Sequence, residues 1–261
     1  MDTSQSRETD IRRLQGPPRA AALDGLITDL RSPDPVVRDD LAYRTARRWV
    51  PVLEPSELRY VGDRMAAHFA SPAIQARTFA PLVLALIADG GEWKQEWWSA
   101  FADWFPAETD LRGHDPELGW LHAPAHGADL LAALSRHPRQ DPYPLAELAV
   151  SRLLAATDHL FDAQEDDRLA FALAQILGHP GLTTAQSAQW LDPVAAAFRT
   201  GEPGPVPAWA SNTMRTLRML YILADRGFRG PGAEALRTPT HRAVVLDSLA
   251  ETLAIVAPYA G

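Results

Sequence analysis

All-α is the expected class for this chain of 261 residues. Apolar residues recur at i, i+3, i+4 and i+7, as in Leu23, Leu26, Ile27 and Leu30, or Leu169, Leu173, Ile176 and Leu177, which is the spacing of one buried helix face. Runs that alternate apolar with polar residues are absent, and no Asn-Gly or Asp-Gly hairpin signal separates two such runs. A hydroxyl or Asp cap precedes Pro at Ser32-Pro33, Ser71-Pro72, Asp141-Pro142 and Thr238-Pro239, the signature of a helix start at a corner. Together these patterns predict about eleven short helices.

In chain order, residues 1–20 are polar and expected to form a flexible tail, with a single helical domain over 21–258. The stretch ALDGLITDLRSPDPVVRDDLAYRTARRW reads as two helices around an Asp-Pro turn, with Asp34 and Arg38 placed to pair. That is how a HEAT-type repeat looks, but the period is not sustained, so an irregular HEAT-like stack with a concave face is expected. Trp93, Trp97, Trp98 and Trp104 have helical spacing and read mostly as core. The run from Asp162 to Asp167 carries a capping-box spacing, Asp162 to Glu165, before the Leu169 helix. Asn212 and Arg215 sit on a central helix, where a buried Asn needs partners. Residues 200–210 and 227–239 are Pro/Gly-rich links, too short to be free linkers.

Composition narrows the functional classes. With 33 acidic and 25 basic residues the net charge is -8, so a polyanion is repelled on average and nucleic acid is not the expected partner. No apolar run approaches the roughly 18 residues of a membrane span, and the start MDTSQSRETDIRR offers no signal-peptide core, so no membrane partner and a cytoplasmic location are expected. Without Cys, chemistry must come from His, carboxylates, hydroxyls, Lys or Arg. Walker, dinucleotide, G-x-S-x-G and H-E-x-x-H patterns are absent.

One segment is too polar for packing. Residues 106–131, PAETDLRGHDPELGWLHAPAHGADLL, gather Glu108, Asp110, Arg112, His114, Trp120, His122, His126 and Asp129, with Gly113 and Gly119 marking a loop between two helices. On an ideal helix positions 122, 126 and 129 fall at about 0°, 40° and −20°, one stripe that suits either a divalent metal or a His held by a carboxylate as general base. Pro124 instead starts the helix near Ala123, which leaves His126 and Asp129 as the pair firmly inside it. Arg112 offers a fork for an anionic group, and Trp120 a ring for a ligand. The competing reading is a network of corner hydrogen bonds.

LRSPDPVVRDDLAY, Arg77-Thr78-Phe79 before PLVLALI, ETDLRG, GWLHAPAHGADLL, EDDRLA and the run from Asn212 to Tyr221 resemble the bacterial domain-of-unknown-function family 2785 over about residues 25–225. The most specific part is Gly119, Trp120, His122, Ala125, His126, Ala128 and Asp129. The resemblance implies a helical, HEAT-like protein and supplies no activity, cofactor or catalytic residue. The functional expectation is a small-molecule pocket, catalytic by acid/base or metal-assisted hydrolysis or elimination. Its catalytic candidates are His126, Asp129, His122, Glu108 and Asp110, its substrate-binding candidates Arg112 and Trp120, and its ligands for a possible divalent metal His122, His126 and Asp129. The alternative is a non-catalytic scaffold for a peptide or protein partner; a DNA-glycosylase-like HEAT protein is disfavoured by charge.

Overall fold

The computed structural model describes residues 10–201 and 204–259. Its helices are α1 (Gly16–Asp29), α2 (Arg44–Trp49), α3 (Pro55–His68), α4 (Ile74–Asp89), α5 (Gln95–Ala107), α6 (Ala123–Leu134), α7 (Pro142–Leu154), α8 (Glu165–Leu177), α9 (Gln186–Gln189), α10 (Asp192–Arg199), α11 (Ala208–Arg226) and α12 (Arg242–Ala254). A π-helical stretch, Val36–Tyr43, leads into α2. The all-α class holds.

The helices stack in two rows. α1, α3, α5, α7 and α10 pack in succession as one row, and α4, α6, α8, α11 and α12 as the other, with α3 against α4 and α7 against α8 tying the rows together. α4 is buried on nearly every side, which its composition allows because it carries no charged residue between Arg77 and Asp89. Two starts are fixed by local side chains. At α3, Glu54 and Glu57 form a capping box, and Glu57 also takes a two-point ion pair from Arg19. At α7, Asp141 accepts from the Tyr143 N–H, the capping role expected of it.

Residues 1–9 of the expected tail lie outside the described residues. From residue 10 the chain is folded: Ile11 is fully buried, Arg19 is paired, and α1 begins at Gly16. The other departure is a two-stranded antiparallel ribbon, β1 (His114–Asp115) with β2 (Gly119–Trp120), where no strand was expected. Its turn is made by Asp115, whose Oδ1 accepts the N–H groups of Glu117 and Leu118. This is an Asx-type turn, not the Asn-Gly kind.

Arg38 joins the ribbon to the helices. Its side chain is sealed from solvent, stacks 4.6 Å from the centre of the Phe79 ring of α4, and ion-pairs with Asp39 at 2.7 Å instead of the expected Asp34. The remaining guanidinium nitrogens donate to the carbonyls of Ser32, Leu118 and Trp120. Asp34 turns inward on its own loop and accepts from the Val36 N–H. Replacing Arg38 by Ala should strand three carbonyls and Asp39, at a cost of about 3–5 kcal/mol in urea unfolding and with a shift in Trp120 emission. A loss below about 1 kcal/mol would remove Arg38 from this bridging role.

Candidate functional site

The ribbon and the loop before α8 face each other across an open cleft of about 590 Å³. One wall holds Arg112, Gly113, His114, Trp120 and His122; the other holds His159, Asp162, Ala163, Gln164 and Arg168. Gly113 permits the close approach, because a Cβ there would sit 2.4 Å from the Ala163 Cβ and 2.7 Å from Glu165 Oε1. Beneath the cleft His122 Nε2 lies 3.7 Å from Glu165 Oε1. Both atoms are sealed from solvent and neither has a hydrogen-bond partner.

His122 caps α6 in the left-handed region, at φ 49°, where non-glycine residues are rare. Pro124 in the first turn fixes the helix start at Ala123, so His122 is the cap outside the helix and leaves the stripe defined by His126 and Asp129. Its N–H donates to the Arg112 carbonyl at 3.1 Å, and its own carbonyl accepts from the His126 N–H at 2.9 Å. Across the cleft Gln164 caps α8 at φ 66°, also left-handed. The expected capping box is not formed: Asp162 is exposed, and Glu165 turns back so that Oε2 accepts from the Ala163 N–H. Asn212 supplies the partners its burial required, accepting from the Phe161 N–H and donating to the His159 carbonyl. Arg215 reaches Asp166 and the Phe161 carbonyl, so α11 fixes the second wall.

Burial governs the electrostatics. It lowers the His122 pKa to about 4, with Arg168 adding to the effect, and it raises the Glu165 carboxyl. Near neutral pH His122 is therefore an uncharged imidazole. His122 lines the cleft with 14% of its side chain exposed, and Nδ1 is the ring nitrogen that does not face Glu165. Trp120 is 47% exposed and stands beside both His114 and His122, with ring centres 4.9 and 4.5 Å away. Arg112 is held by Asp110 and Asp115, and Arg168 by Asp129, so both guanidinium groups meet the cleft already paired.

The structure thus gathers His122, Trp120 and Arg112 and separates the other candidates. His126 is buried behind the cleft, its ring edge-on to Phe79, and Nδ1–H donates to the Thr78 carbonyl. Asp129 takes a two-point pair from Arg168 and makes no bond to His126. Glu108 belongs to another corner, where it accepts from Arg77, Trp104 and the N–H groups of Thr109 and Asp110. Burial works to raise its pKa, but those donors outweigh burial and hold it below the usual range. Asp110 stays at the rim as the partner of Arg112. Among the described residues no three His, Asp or Glu side chains come together as a metal set, so His122, His126 and Asp129 do not form the expected ligand group. The pairing of His126 with Thr78 and of Asp129 with Arg168 is the physical reason.

Glu165, His159 and Gln164 are the cleft residues the sequence reading missed. Their signal was the acidic run before α8 together with Asn212, read separately as a helix cap and a buried amide.

The family described as Protein of unknown function (DUF2785) matches residues 65–222. The chain belongs to the DUF2785 family. The matched span includes both walls of the cleft, whereas Arg38 and the first helices precede it. No curated protein matches this DUF2785 chain. Among solved structures, the crystal structure of an engineered protein from the Northeast Structural Genomics Consortium is similar, at 15% identity and a TM-score of 0.41, over 88% of this chain and 97% of that one.

His126 provides a test of this electrostatic arrangement. Burial lowers its pKa from 6.5 to about 3, so the unfolded chain binds this proton first. The stability tied to neutral His126 is complete above about pH 6.5 and drains as pH falls towards 3. The raised carboxyls Asp129 and Glu165 act with the opposite sign, which makes a variant comparison necessary. At pH 7.5 His126→Phe should be less stable than the parent by about 1–3 kcal/mol, from the stranded Thr78 carbonyl. By calorimetry that gap should narrow steadily between pH 6.5 and 4.5; a gap independent of pH would refute the assignment.

Proposed function

We propose that the cleft between the ribbon and the α8 loop is a small-molecule site with acid/base catalysis, in which His122 is the proton acceptor and Glu165 its buried partner. The observation that carries this reading is the pair His122 Nε2 and Glu165 Oε1, sealed, unpartnered and 3.7 Å apart, behind an imidazole that lines the cleft. A small ring rotation closes that separation to a hydrogen bond. With Nε2–H directed at Glu165, the lone pair at Nδ1 is free to take a proton from water or from a substrate O–H or C–H. The imidazolium that forms is then stabilised by the carboxylate behind it. Trp120 offers its exposed face to an apolar or planar part of the ligand. Because Arg112 and Arg168 are already neutralised, this arrangement favours a polar, uncharged substrate over a strong anion. The chemistry that fits is hydrolysis or elimination.

A second reading, a non-catalytic scaffold for a peptide or protein partner, is favoured by the exposed Tyr221 and Ile222 on α11. Turnover distinguishes the two. Purified protein, assayed with p-nitrophenyl acetate, butyrate and phosphate, should cleave at least one ester, with the rate falling as pH drops through about 4. His122→Ala and Glu165→Gln should each lower kcat by about 10²–10⁴-fold, and Trp120→Ala should act mainly on KM. Activity untouched by both His122→Ala and Glu165→Gln, or no turnover of any of the three, would overturn the catalytic reading.

A further inference from the structure

Between α1 and α3 lies a cavity of about 460 Å³ that the proposed dyad does not touch. One stripe of each helix lines it: Asp24 and Ile27 of α1 with Arg31 just beyond its end, and Tyr60, Arg64 and His68 of α3. Spacings of three and four residues keep these side chains on one face of their helix. The Tyr60 hydroxyl donates to Asp24 Oδ1 and closes one end. The other end belongs to the two arginines, two helical turns or roughly 10 Å from Asp24 to Arg31. Burial lowers the His68 pKa to about 4, and the charges of Arg31 and Arg64 push it the same way, so both guanidinium groups converge on an uncharged imidazole.

Neither guanidinium has a partner. Among the described residues the Arg31 and Arg64 side chains make no hydrogen bond and no ion pair. Carboxylates on α3 are taken elsewhere, Glu57 by Arg19 and Asp63 by Lys94. Arginines at the end of a helix often cap its last carbonyls. Here the backbone already does so: the Thr28 and Asp29 carbonyls accept from the N–H groups of Arg31 and Ser32, and those of Ala66, Ala67 and His68 from Phe69, Ala70 and Ser71. Asp24 is the one carboxylate in the lining, so two positive charges stand against one negative. In a chain of net charge -8 such a concave excess of positive charge attracts a small anion against the average field.

We propose that this cavity binds a small organic phosphate with a hydroxyl-bearing body, its phosphate held by Arg31 and Arg64 and a hydroxyl by Asp24. Both arginines are exposed, so the phosphate reaches them from solvent with no rearrangement of the core. Their planar forks match phosphate oxygens two at a time. Asp24 uses Oδ1 for Tyr60 and has Oδ2 for a ligand hydroxyl, and at roughly 10 Å its repulsion of the phosphate is largely screened. Ile27 and Ala67 give an apolar floor, and Tyr60, 41% exposed, offers its ring to the body of the ligand. Small-molecule sites span roughly 300–1,000 Å³, and a space of this size is far more than a bare phosphate ion fills. The proposal uses neither His122 nor Glu165, so it stands or falls apart from the catalytic reading.

The test titrates the intact protein at pH 6.5 and low salt with glucose 6-phosphate, glycerol 3-phosphate, inorganic phosphate and glucose, following the Arg31 and Arg64 Nε–H and the His68 ring signals by NMR. Saturable shifts of all three side chains are expected with one or both organic phosphates, at least tenfold tighter than with inorganic phosphate, and none with glucose. Arg31→Gln and Arg64→Gln each remove a charge from an exposed side chain without a partner. Each should therefore keep the thermal midpoint of the parent and weaken the organic phosphate at least tenfold. Arg218→Gln, at an exposed arginine of α11, should bind as the parent does. No saturable shift with either organic phosphate would overturn the proposal. So would equal affinity for inorganic phosphate or glucose, or a loss in Arg218→Gln as large as in the two cavity variants.

Discussion

The buried guanidinium of Arg38 is the constraint on which the geometry around the cleft depends. A two-stranded ribbon of two residues per strand has too little hydrophobic surface to hold itself against a helical stack. Arg38 supplies the attachment by bonding to the Leu118 and Trp120 carbonyls on either side of Gly119 while lying over Phe79. A lysine could not do this, since it lacks the planar fork and the stacking face. The close passage of Gly119 is part of the same joint: a Cβ there would come 2.6 Å from Pro35, and its φ of 72° is one glycine adopts without strain. Ribbon, π-helical segment and α4 therefore form one unit, and Trp120 and His122 take their positions from it.

Polar residues of the 106–131 segment divide into those that build the corner and those that face the cleft. Glu108 collects its donors from α4, α5 and its own loop, and the buried Arg152 of α7 satisfies the carbonyls of Phe105 and Glu108 just behind it. His126 does comparable work on α4. Pro81 lacks the N–H that would bond the Arg77 carbonyl, so the helix is loosened there, and the next carbonyl, Thr78, receives the His126 Nδ1–H. Arg152 Nε is left without a hydrogen-bond partner there, as is the mutually facing pair Arg38 Nε and Asp39 Oδ1. His122 Nε2 and Glu165 Oε1 are a further such pair, and theirs lies directly beneath the cleft.

The helical class was legible in the sequence because 3.6-residue periodicity acts locally. Of the four Pro-marked starts, by contrast, only Asp141-Pro142 is the cap itself: the helices after Ser32, Ser71 and Thr238 are capped at Pro35, Ala73 and His241. Asp141 did at α7 what its position beside Pro142 suggested, and Asn212 found partners as a buried amide must. The partner of Arg38 was not legible. Asp34 sits one helical turn away in sequence, but the carbonyls that capture Arg38 come from the ribbon some eighty residues later, and no local pattern carries that information. The same limit explains the site. A helical wheel placed His122 with His126 and Asp129, whereas Pro124 starts the helix late and turns His122 towards Glu165, a residue contributed by a different loop. Glu165 itself looked like a helix cap because its spacing from Asp162 permits one; burial beside Gly113 decided otherwise.

Backbone strain sets the cleft apart from the rest of the fold. Among the described residues, His122 and Gln164 are the non-glycine residues with positive φ, and both line it from opposite walls. Such conformations cost on the order of 1–3 kcal/mol each and persist only where the surroundings over-determine them. Here they do. The Arg112 carbonyl and the His126 N–H grip His122 from both sides; Gln164 is followed at once by α8, whose Arg168 N–H bonds to its carbonyl. Asn212 and Arg215 hold the loop that precedes it. Glycine or asparagine at either position would satisfy the same turn with less strain. What glycine cannot provide is the side chain, and at 122 that side chain is an imidazole that lines the cleft. The strain and the unpaired His122–Glu165 atoms thus fall on one corner, the one where the proposed role of His122 requires its side chain to be held.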